Sequence, residues 1–534
     1  FFFIIMIGNI TAASTILCFL SIYLSYFYWP KDTAQMANTG LLFVSNLSRA
    51  QNVFVKATEY VKRVLYIKVR NPKESLSSYS KSIVNIYTKS TLFSDLDVRF
   101  IIKPIDDSRQ IKTNNPVDVI LYDKDCNKEI DKLKKSILSL KTGLPKYIYQ
   151  RYIDKEKSEK LVKQYEYVAL GGTFDRLHSG HKIFLSEAAL RTTKELTVAV
   201  TDINMIQSKK LWELIEPIET RMNAVRKFLM EINPEIEYNV IPLKDFYGPT
   251  KDDPKLQMLV VSDETLKGGA KINDKRKDNN LPPMDIYSIN VVEENMSGDE
   301  EELKVSSSNI RMRLLGTLIR PPVEHHNIPD WPYVIGLAGG IASGKSKIAE
   351  RLQKKGAGLV NCDLLAHELY KPGLPLNATI AEAFGGHIIT DQGEIDRRKL
   401  GQIVFSDKSK LEKLNSIMWP AILEEAMNRV QALGRIGHRV VVLEAAVMIQ
   451  AQWFTHTHQL WSVIVPPEEA VKRIQNRNGL SEQEARERVA SQPSNLEQIA
   501  KANVIFSPYW SYEHTQGQVD RAWDNLQEYL KTRK

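Results

Sequence analysis

An α/β fold with parallel sheets is predicted by three features of the sequence. Apolar runs of strand length at residues 167–170 and 333–338 each enter a glycine-containing turn. Each turn leads directly into an amphipathic stretch of helix length, which is the repeating unit of a parallel sheet. The composition, 43% hydrophobic and 25% charged, is that of packed globular domains, and it excludes a mostly disordered, collagen-like or multi-span membrane chain. At roughly 100–200 residues per domain, 534 residues correspond to about three domains.

Charge and cysteine content narrow the function classes. The 72 Lys and Arg exceed the 64 Asp and Glu, a net +8 that suits anionic small molecules such as nucleotides without requiring nucleic acid. Cys18, Cys126 and Cys362 show no paired spacing, which excludes a disulfide framework and a cysteine-based zinc site and fits a reducing compartment.

Residues 1–35 open with thirty residues free of Asp, Glu, Lys, Arg and His, long enough for a bilayer-spanning helix. Two readings stand: a membrane anchor giving membrane association through the N-terminus, or sequence upstream of a start at Met36 and absent from the mature protein. Residues 36–73 hold one acidic residue, Glu59, among six Lys and Arg before Lys73, a bias like that of mitochondrial targeting segments; Leu41-Leu42-Phe43-Val44 reads equally as a first strand. The expected locations are therefore cytoplasm and mitochondrion. Residues 36–160 form an accessory α/β region, with strands expected at 98–102 and 117–121 and no catalytic constellation. The Lys- and Glu-dense residues 151–164 read as a linker or exposed helix.

A domain over residues 161–322 begins with Gly171-Gly172-Thr173-Phe174-Asp175-Arg176-Leu177-His178-Ser179-Gly180-His181. A glycine turn at a helix N-terminus turns backbone N–H groups and the positive dipole end toward an anion, so phosphate is the expected guest. His178 and His181 share a helix face, and Gly180 carries no Cβ to obstruct a nucleotide. A partial metal site is the competing reading, but no third ligand lies nearby in sequence. The run resembles the signature of the nucleotidyltransferase superfamily that shares His-x-Gly-His with class I aminoacyl-tRNA synthetases. That resemblance implies that both imidazoles stabilise charge at the α-phosphate of ATP while an incoming phosphate displaces pyrophosphate. Ser306-Ser307-Ser308-Asn309-Ile310-Arg311 resembles the family's Ser-Ser-Thr-x-x-Arg element, which implies that Ser307, Ser308 and Arg311 hold the β and γ phosphates; the same residues also suit a helix cap. Thr173 joins the ATP-binding set, and Lys209 or Lys210 supplies a lysine near the reacting phosphates. By the same resemblance Asn273 and Arg276 lie where substrate is recognised.

A second domain, over residues 330–534, carries Gly339-Gly340-Ile341-Ala342-Ser343-Gly344-Lys345-Ser346, a full match to G-x-x-x-x-G-K-[ST] between a strand and a helix. Backbone amides of such a loop wrap phosphates, Lys345 balances β and γ charge, and the Ser346 hydroxyl is the expected Mg²⁺ ligand. Asp363, at the end of the next strand, stands where a carboxylate can deprotonate an attacking hydroxyl; it could instead cap the following helix. Glu444, ending the strand at 440–443, reads as a Mg²⁺-associated acid or a buried terminator. The pattern Asp363, His367-Glu368-Leu369-Tyr370, Pro372-Gly373, Phe384-Gly385, Asp391, Gly393 and Ile395-Asp396-Arg397 resembles the dephospho-CoA kinases, departing from common bacterial members at His367 and Trp419. The resemblance implies that Asp363 is the base for the ribose 3′-hydroxyl, that Arg397 contacts substrate, and that Arg477, ahead of Arg473, belongs to a lid over ATP.

The order of the two motifs resembles the animal-type bifunctional coenzyme A synthases over about residues 165–530. It implies ATP and Mg²⁺ as cofactors, 4′-phosphopantetheine and dephospho-CoA as substrates, and no nucleic-acid partner. The fold class expected is a Rossmann-like nucleotidyltransferase domain followed by a P-loop kinase domain, behind the accessory α/β region. The alternatives are a different nucleotidyltransferase fused to a P-loop kinase, and a membrane-associated adaptor with relic nucleotide folds.

Overall fold

The structure, a computed structural model, describes residues 36–534 except 71–74, 94, 103–110, 112, 138–139, 141–145, 148–161, 291–304, 324–327 and 534. The apolar segment 1–35 and most of the expected linker at 151–164 lie outside the described residues. The chain divides into two compact units, Phe1–Gln164 with Ala189–Arg191 and Lys227–Glu235, and all the rest.

In the first unit, β1 (Ala37–Val44), β2 (Val61–Val69), β3 (Asp97–Ile101), β4 (Val119–Tyr122) and β5 (Lys146–Tyr147) form a parallel sheet in the order β3-β2-β1-β4-β5. Leu41, Leu42, Phe43 and Val44 are buried in its central strand, so the four are a strand core. Helix α1 (Leu47–Thr58) buries Leu47, Ala50, Val53, Phe54 and Ala57, a helical stripe, and Asn46 caps it by accepting from Arg49 N. Helices α2 (Leu76–Ser90) and α3 (Ile130–Ser136) complete the unit. Glu231 belongs here: its buried carboxylate pairs with Arg99 and accepts from the Tyr66 hydroxyl at 2.9 Å.

The second unit holds two sheets. In the transferase half, β6 (Tyr165–Gly172), β7 (Thr192–Thr201), β8 (Glu237–Leu243), β9 (Met258–Ser262) and β10 (Asp285–Ile289) are parallel in the order β10-β9-β6-β7-β8. Counted from each sheet's own first strand, this is the winding of the first unit, 3-2-1-4-5. Its helices are α4 (Ser179–Arg191), α5 (Ile218–Ile232), α6 (Leu266–Asp278) and α7 (Ser307–Leu314). Strand order reverses between β6 and β9, and the carboxyl ends of strands at such a point form a crevice for ligands.

In the kinase half, β11 (Tyr333–Gly339), β12 (Gly358–Asn361), β13 (Val440–Glu444), β14 (Gln459–Val463) and β15 (Val504–Phe506) run parallel in the order β12-β13-β11-β14-β15. Alternation along β11 sends Tyr333, Ile335 and Leu337 to one face, against α8 (Lys345–Lys354) and α16 (Tyr512–Thr532). Val334 and Ala338 face the other way, toward α9 (Cys362–Leu369) and α12 (Lys408–Arg435). Helices α10 (Pro375–Phe384) and α11 (Arg397–Phe405) lie between those two in sequence, and α13 (Pro467–Asn478), α14 (Glu482–Ala490) and α15 (Asn495–Lys501) follow β14. Ser481 and Glu484 form a capping box at the start of α14.

Candidate active sites

At the end of β6 the left-handed turn conformations fall on Phe174 and Arg176, with φ of 51° and 48°. Gly172 is required for another reason: a Cβ there would stand 2.9 Å from the Phe174 ring, which folds back over the strand end. Asp175, fully buried, ties the turn down. Its carboxylate accepts from Arg176 Nη1 at 2.9 Å, Glu216 N at 3.0 Å and Arg311 Nη1 at 2.7 Å.

His178 precedes α4 and His181 lies in its first turn, with the two rings stacked at 3.8 Å between centroids. A Cβ on Gly180 would come within 3.2 Å of the His178 ring, so this glycine admits the stacked pair itself. Burial holds His178 well below the ordinary imidazole range, helped by the neighbouring His181 and Lys182. Burial likewise pushes His181 down to about 4; Asp175 opposes the shift and Lys209 adds to it. Both rings are therefore neutral near pH 7, and each buried Nδ1 has no hydrogen-bond partner among the described residues. Neutral N–H donors at a helix N-terminus can bind developing negative charge.

The lysine pair is separated by its surroundings. Lys209 is the one whose charge reaches His181, whereas Lys210 Nζ lies 3.6 Å from Met312 Sδ and over the Trp510 ring. Ser307 Oγ donates to Asp175 O at 2.8 Å, bringing the start of α7 to the turn, and Ser306 caps α7. Thr173 Oγ1 accepts from Thr201 Oγ1 at 3.1 Å.

Three residues expected at ligands make contacts within the protein here. Arg311, expected on the β and γ phosphates, is buried, with its donors on Asp175, on Lys210 O at 2.9 Å and on Ser308 Oγ at 3.2 Å; it fastens the loops together. Arg276, expected at substrate, is fully buried and donates to the carbonyls of Pro282, Thr250, Asp253 and Leu256. Asn273 exchanges two hydrogen bonds with the Met284 backbone, both 2.9 Å, and joins α6 to the segment before β10. Arg221 escaped the sequence reading: from inside α5 it donates to Thr173 O at 2.7 Å and Thr201 O at 2.9 Å, holding two strand ends at the crevice.

At the end of β11 the loop 339–346 enters α8. Gly344 takes φ of 91°, and Gly339 has no room for a Cβ, which would meet Ser343 Oγ at 2.7 Å and Val463 O at 3.0 Å. Gly340 O accepts from Ser343 N at 3.1 Å, and Ile341 N donates to Gln492 Oε1 at 2.5 Å. Ser343 Oγ is buried without a hydrogen-bond partner among the described residues.

Glu444 is the hub of this site. Its Oε1 accepts from Lys345 Nζ at 2.7 Å and Ser346 Oγ at 2.6 Å, and its Oε2 accepts from Asn361 Nδ2 at 2.9 Å. Lys345 Nζ also lies 3.3 Å from Asp363 Oδ2. The capping reading of Asp363 is corrected: Asn361 caps α9, leaving Asp363 in the first turn, half exposed, with Oδ1 accepting from Ala446 N at 3.3 Å. One turn further, His367 Nδ1 meets the Tyr370 hydroxyl at 2.5 Å, and Arg397 stands over the Tyr370 ring at 5.6 Å. Burial lowers His367 below its ordinary value, with the Arg397 charge acting in the same direction and Asp363 against it. Asp363, His367, Tyr370 and Arg397 thus share one side of the loop.

Of the two arginines expected in a lid, Arg473 is the one that meets the loop. Arg477 donates to its neighbour Asn478, while Arg473 reaches the loop, with Nη1 at 3.4 Å from Ala342 O and Nη2 at 2.8 Å from Pro508 O. Ser346 Oγ and the Glu444 carboxylate form a pair of hard oxygen donors that fits Mg²⁺, an ion that takes few protein ligands and completes its shell with water and phosphate. No cluster of three or more His, Cys, Asp or Glu suited to a metal occurs among the described residues.

Comparison with known proteins places names on both sites. A cytidylyltransferase-like family model matches residues 169–313, and a dephospho-CoA kinase model matches residues 333–508. The dephospho-CoA kinase of Carboxydothermus hydrogenoformans is 38% identical over 186 residues, covering 35% of this chain and 90% of that protein. That of Geobacter sulfurreducens is 37% identical over 190 residues, covering 36% and 96%. The phosphopantetheine adenylyltransferase of Saccharomyces cerevisiae is 34% identical over 183 residues, 34% of this chain and 58% of that protein. With most of such kinases contained in it at this identity, and a cytidylyltransferase-like domain ahead of the match, the chain belongs to the dephospho-CoA kinase family.

Proposed function

We propose that the chain performs the last two steps of coenzyme A biosynthesis: adenylyl transfer from ATP to 4′-phosphopantetheine, then ATP-dependent phosphorylation of the product. The observation that carries this reading is the presence, in one compact unit, of the stacked His178–His181 pair at a helix N-terminus and of Lys345, Ser346, Glu444 and Asp363 around a P-loop.

In the first step a phosphate oxygen of 4′-phosphopantetheine attacks the α-phosphorus of ATP, and the bond to pyrophosphate breaks. Neutral His178 and His181 donate N–H bonds to the oxygens that gain charge, and the α4 dipole adds to them. Lys209 is the lysine for the departing phosphates. In the second step Asp363 takes the proton of the ribose 3′-hydroxyl while that oxygen attacks the γ-phosphorus, and ADP leaves. Lys345 exchanges Glu444 for phosphate oxygens. Ser346 and Glu444 would hold Mg²⁺, which when bound neutralises phosphate charge. His367, Tyr370 and Arg397 line the side from which the hydroxyl substrate enters. Work in the cytoplasm and mitochondrion is part of the proposal; its sole support is the basic bias of residues 36–73, a stretch that also builds β1, α1 and β2.

Mass spectrometry of products from the full chain with Mg²⁺, ATP and 4′-phosphopantetheine tests the reading. Dephospho-CoA followed by coenzyme A is the expected series. ATP binding with neither product would contradict it and favour the adaptor.

A further inference from the structure

The kinase phosphate loop is held by a residue outside both motifs. The Ile341 amide donates to Gln492 Oε1, and the same oxygen would be the nearest atom, at 3.2 Å, to a Cβ on Gly340. Gln492 lies between α14 and α15. Gln498, buried in α15, donates to Pro493 O at 3.1 Å and fixes the turn that presents it.

The opposite side of this segment is bound by the transferase half. Asn495 Nδ2 donates to Glu213 Oε1 at 2.8 Å as well as to Val465 O at 3.0 Å. Arg320 donates to Ile499 O and, at 3.2 Å, to Ala502 O. Ile499 and Ala502 share an apolar cluster with Leu214, Leu315, Ile464 and Ile505. Beyond α7 the connecting chain attaches to the kinase sheet: Gly316 N donates to Ile505 O and Ile319 N to Asn503 O, both at 2.8 Å, and Leu318 bridges Val504 in antiparallel sense. Gly316 is obligatory there, since a Cβ would stand 2.1 Å from Gln518 O. Three hydrogen bonds, Arg311 to Lys210 O, Asn495 to Glu213 and the Ile341 amide to Gln492, are thus joined through two short stretches of chain, 210–213 and 492–495.

We propose that Gln492 is a positioning residue for the kinase ATP site, and that the transferase half sets its place through the Glu213–Asn495 contact. The kinase half is then tuned for ATP by the domain in front of it, an inference that rests on the P-loop being the ATP site of the second step. Gln492 does not touch the reacting atoms. It takes up the Ile341 N–H and so fixes the course of the loop whose remaining amides are left for phosphate, and such coupling is real only if changes at the two contacts fail to add.

The test is steady-state kinetics on the full chain, with each step assayed separately and the kinase step supplied with dephospho-CoA. Gln492→Ala should raise the KM for ATP of the kinase step about 3- to 10-fold with kcat within about twofold, the scale of one lost hydrogen bond. Gln492→Glu should raise it further, because a carboxylate beside the cradle repels phosphate. Asn495→Ala should raise the same KM about 2- to 4-fold, and the double variant should be no worse than Gln492→Ala alone. Glu213→Ala should match Asn495→Ala, whereas Glu213→Gln, which keeps an acceptor oxygen, should behave as wild type. The KM for ATP of adenylyl transfer should not move in the Gln492 or Asn495 variants. An unchanged kinase KM in Gln492→Ala, or additive effects in the double variant, overturns the proposal. Inactivity of the wild-type kinase step would instead overturn the functional reading beneath it.

Discussion

At the end of β6 stand two stacked, half-buried imidazoles with no net charge, while the nearby Arg311 is neutralised by Asp175. At the end of β11 stands a lysine within hydrogen-bonding range of two carboxylates. Both loops follow the central strand of a parallel sheet and lead into a helix N-terminus, so the backbone supplies each with the same dipole. The side chains differ because the chemistry differs. Stabilising charge that develops on an α-phosphate asks for fixed neutral donors, whereas a γ-phosphoryl transfer to a hydroxyl asks for a mobile cation partner and a base. The backbone chooses the anion, and the side chains choose the reaction.

The sharpest way to break this comparison is Lys345→Ala. It should slow the kinase step by about 10²- to 10³-fold or more while dephospho-CoA accumulates at the wild-type rate; parallel loss of adenylyl transfer in a folded variant would show that the loops are not independent. His181→Ala is the mirror experiment. Adenylyl transfer should fall by about 10²- to 10³-fold with kinase activity on supplied dephospho-CoA intact, and normal transfer would remove His181 from the chemistry.

Glu444→Gln sharpens the charged side. Losing the carboxylate that bonds Lys345, Ser346 and Asn361 should cost about 10- to 100-fold in kinase activity and raise the Mg²⁺ concentration needed, read from a metal titration. An unchanged titration would assign Glu444 a purely structural part. For Arg276→Ala the expectation is a loss of stability on the order of 2–4 kcal/mol in denaturant unfolding, since four carbonyls lose their donor, with both KM values unmoved. A rise in KM at preserved stability would return Arg276 to the substrate site.

The smallest effect concerns pH. His181 in the fold lies at about 4 against an ordinary 6.5, so the unfolded chain binds more protons between those values. The stability contributed by the neutral ring is complete above about pH 6.5 and is lost as pH falls toward 4. Adenylyl transfer should accordingly show no histidine-like loss between pH 6.5 and 8. A decline through that window as pH rises would mean that an imidazolium is required.

The parts legible in the sequence are those whose partners are contiguous. The P-loop is eight consecutive residues, and His178 and His181 share one turn, so both loops could be located and oriented without coordinates. Glu444 was open to two readings because its partners Lys345 and Ser346 lie 99 and 98 positions away, and only sheet register brings them together. Arg473 and Arg477 are one helical turn apart on α13, and periodicity cannot say which end of that face meets the loop. Arg276 sits among Lys and Asp in a polar helix, where nothing local announces that it is buried. Gln492 carries no local signal either.

The first unit shows the same limit at the level of the fold. Its strands were legible, but its winding, shared with the transferase sheet, was not. After β1 only Ser45 and Asn46 precede the helix, and at that edge the Asp123 carboxylate accepts from Ser45 N and Ser45 Oγ, both at 2.8 Å. The eleven-residue run at 171–181 has no counterpart there, so one winding carries a histidine turn in one place and a self-bonded strand end in the other.

The most direct test of the two-loop account is a dual-label experiment on the wild-type chain with 4′-phosphopantetheine. Half the reactions receive ATP labelled at the α-phosphate and half receive ATP labelled at the γ-phosphate. The account predicts α-label in dephospho-CoA and coenzyme A through the His178–His181 loop, and γ-label only in coenzyme A, at the ribose 3′-phosphate, through the Lys345 loop. Label from the γ-phosphate in dephospho-CoA, or no α-label in either product, would contradict it.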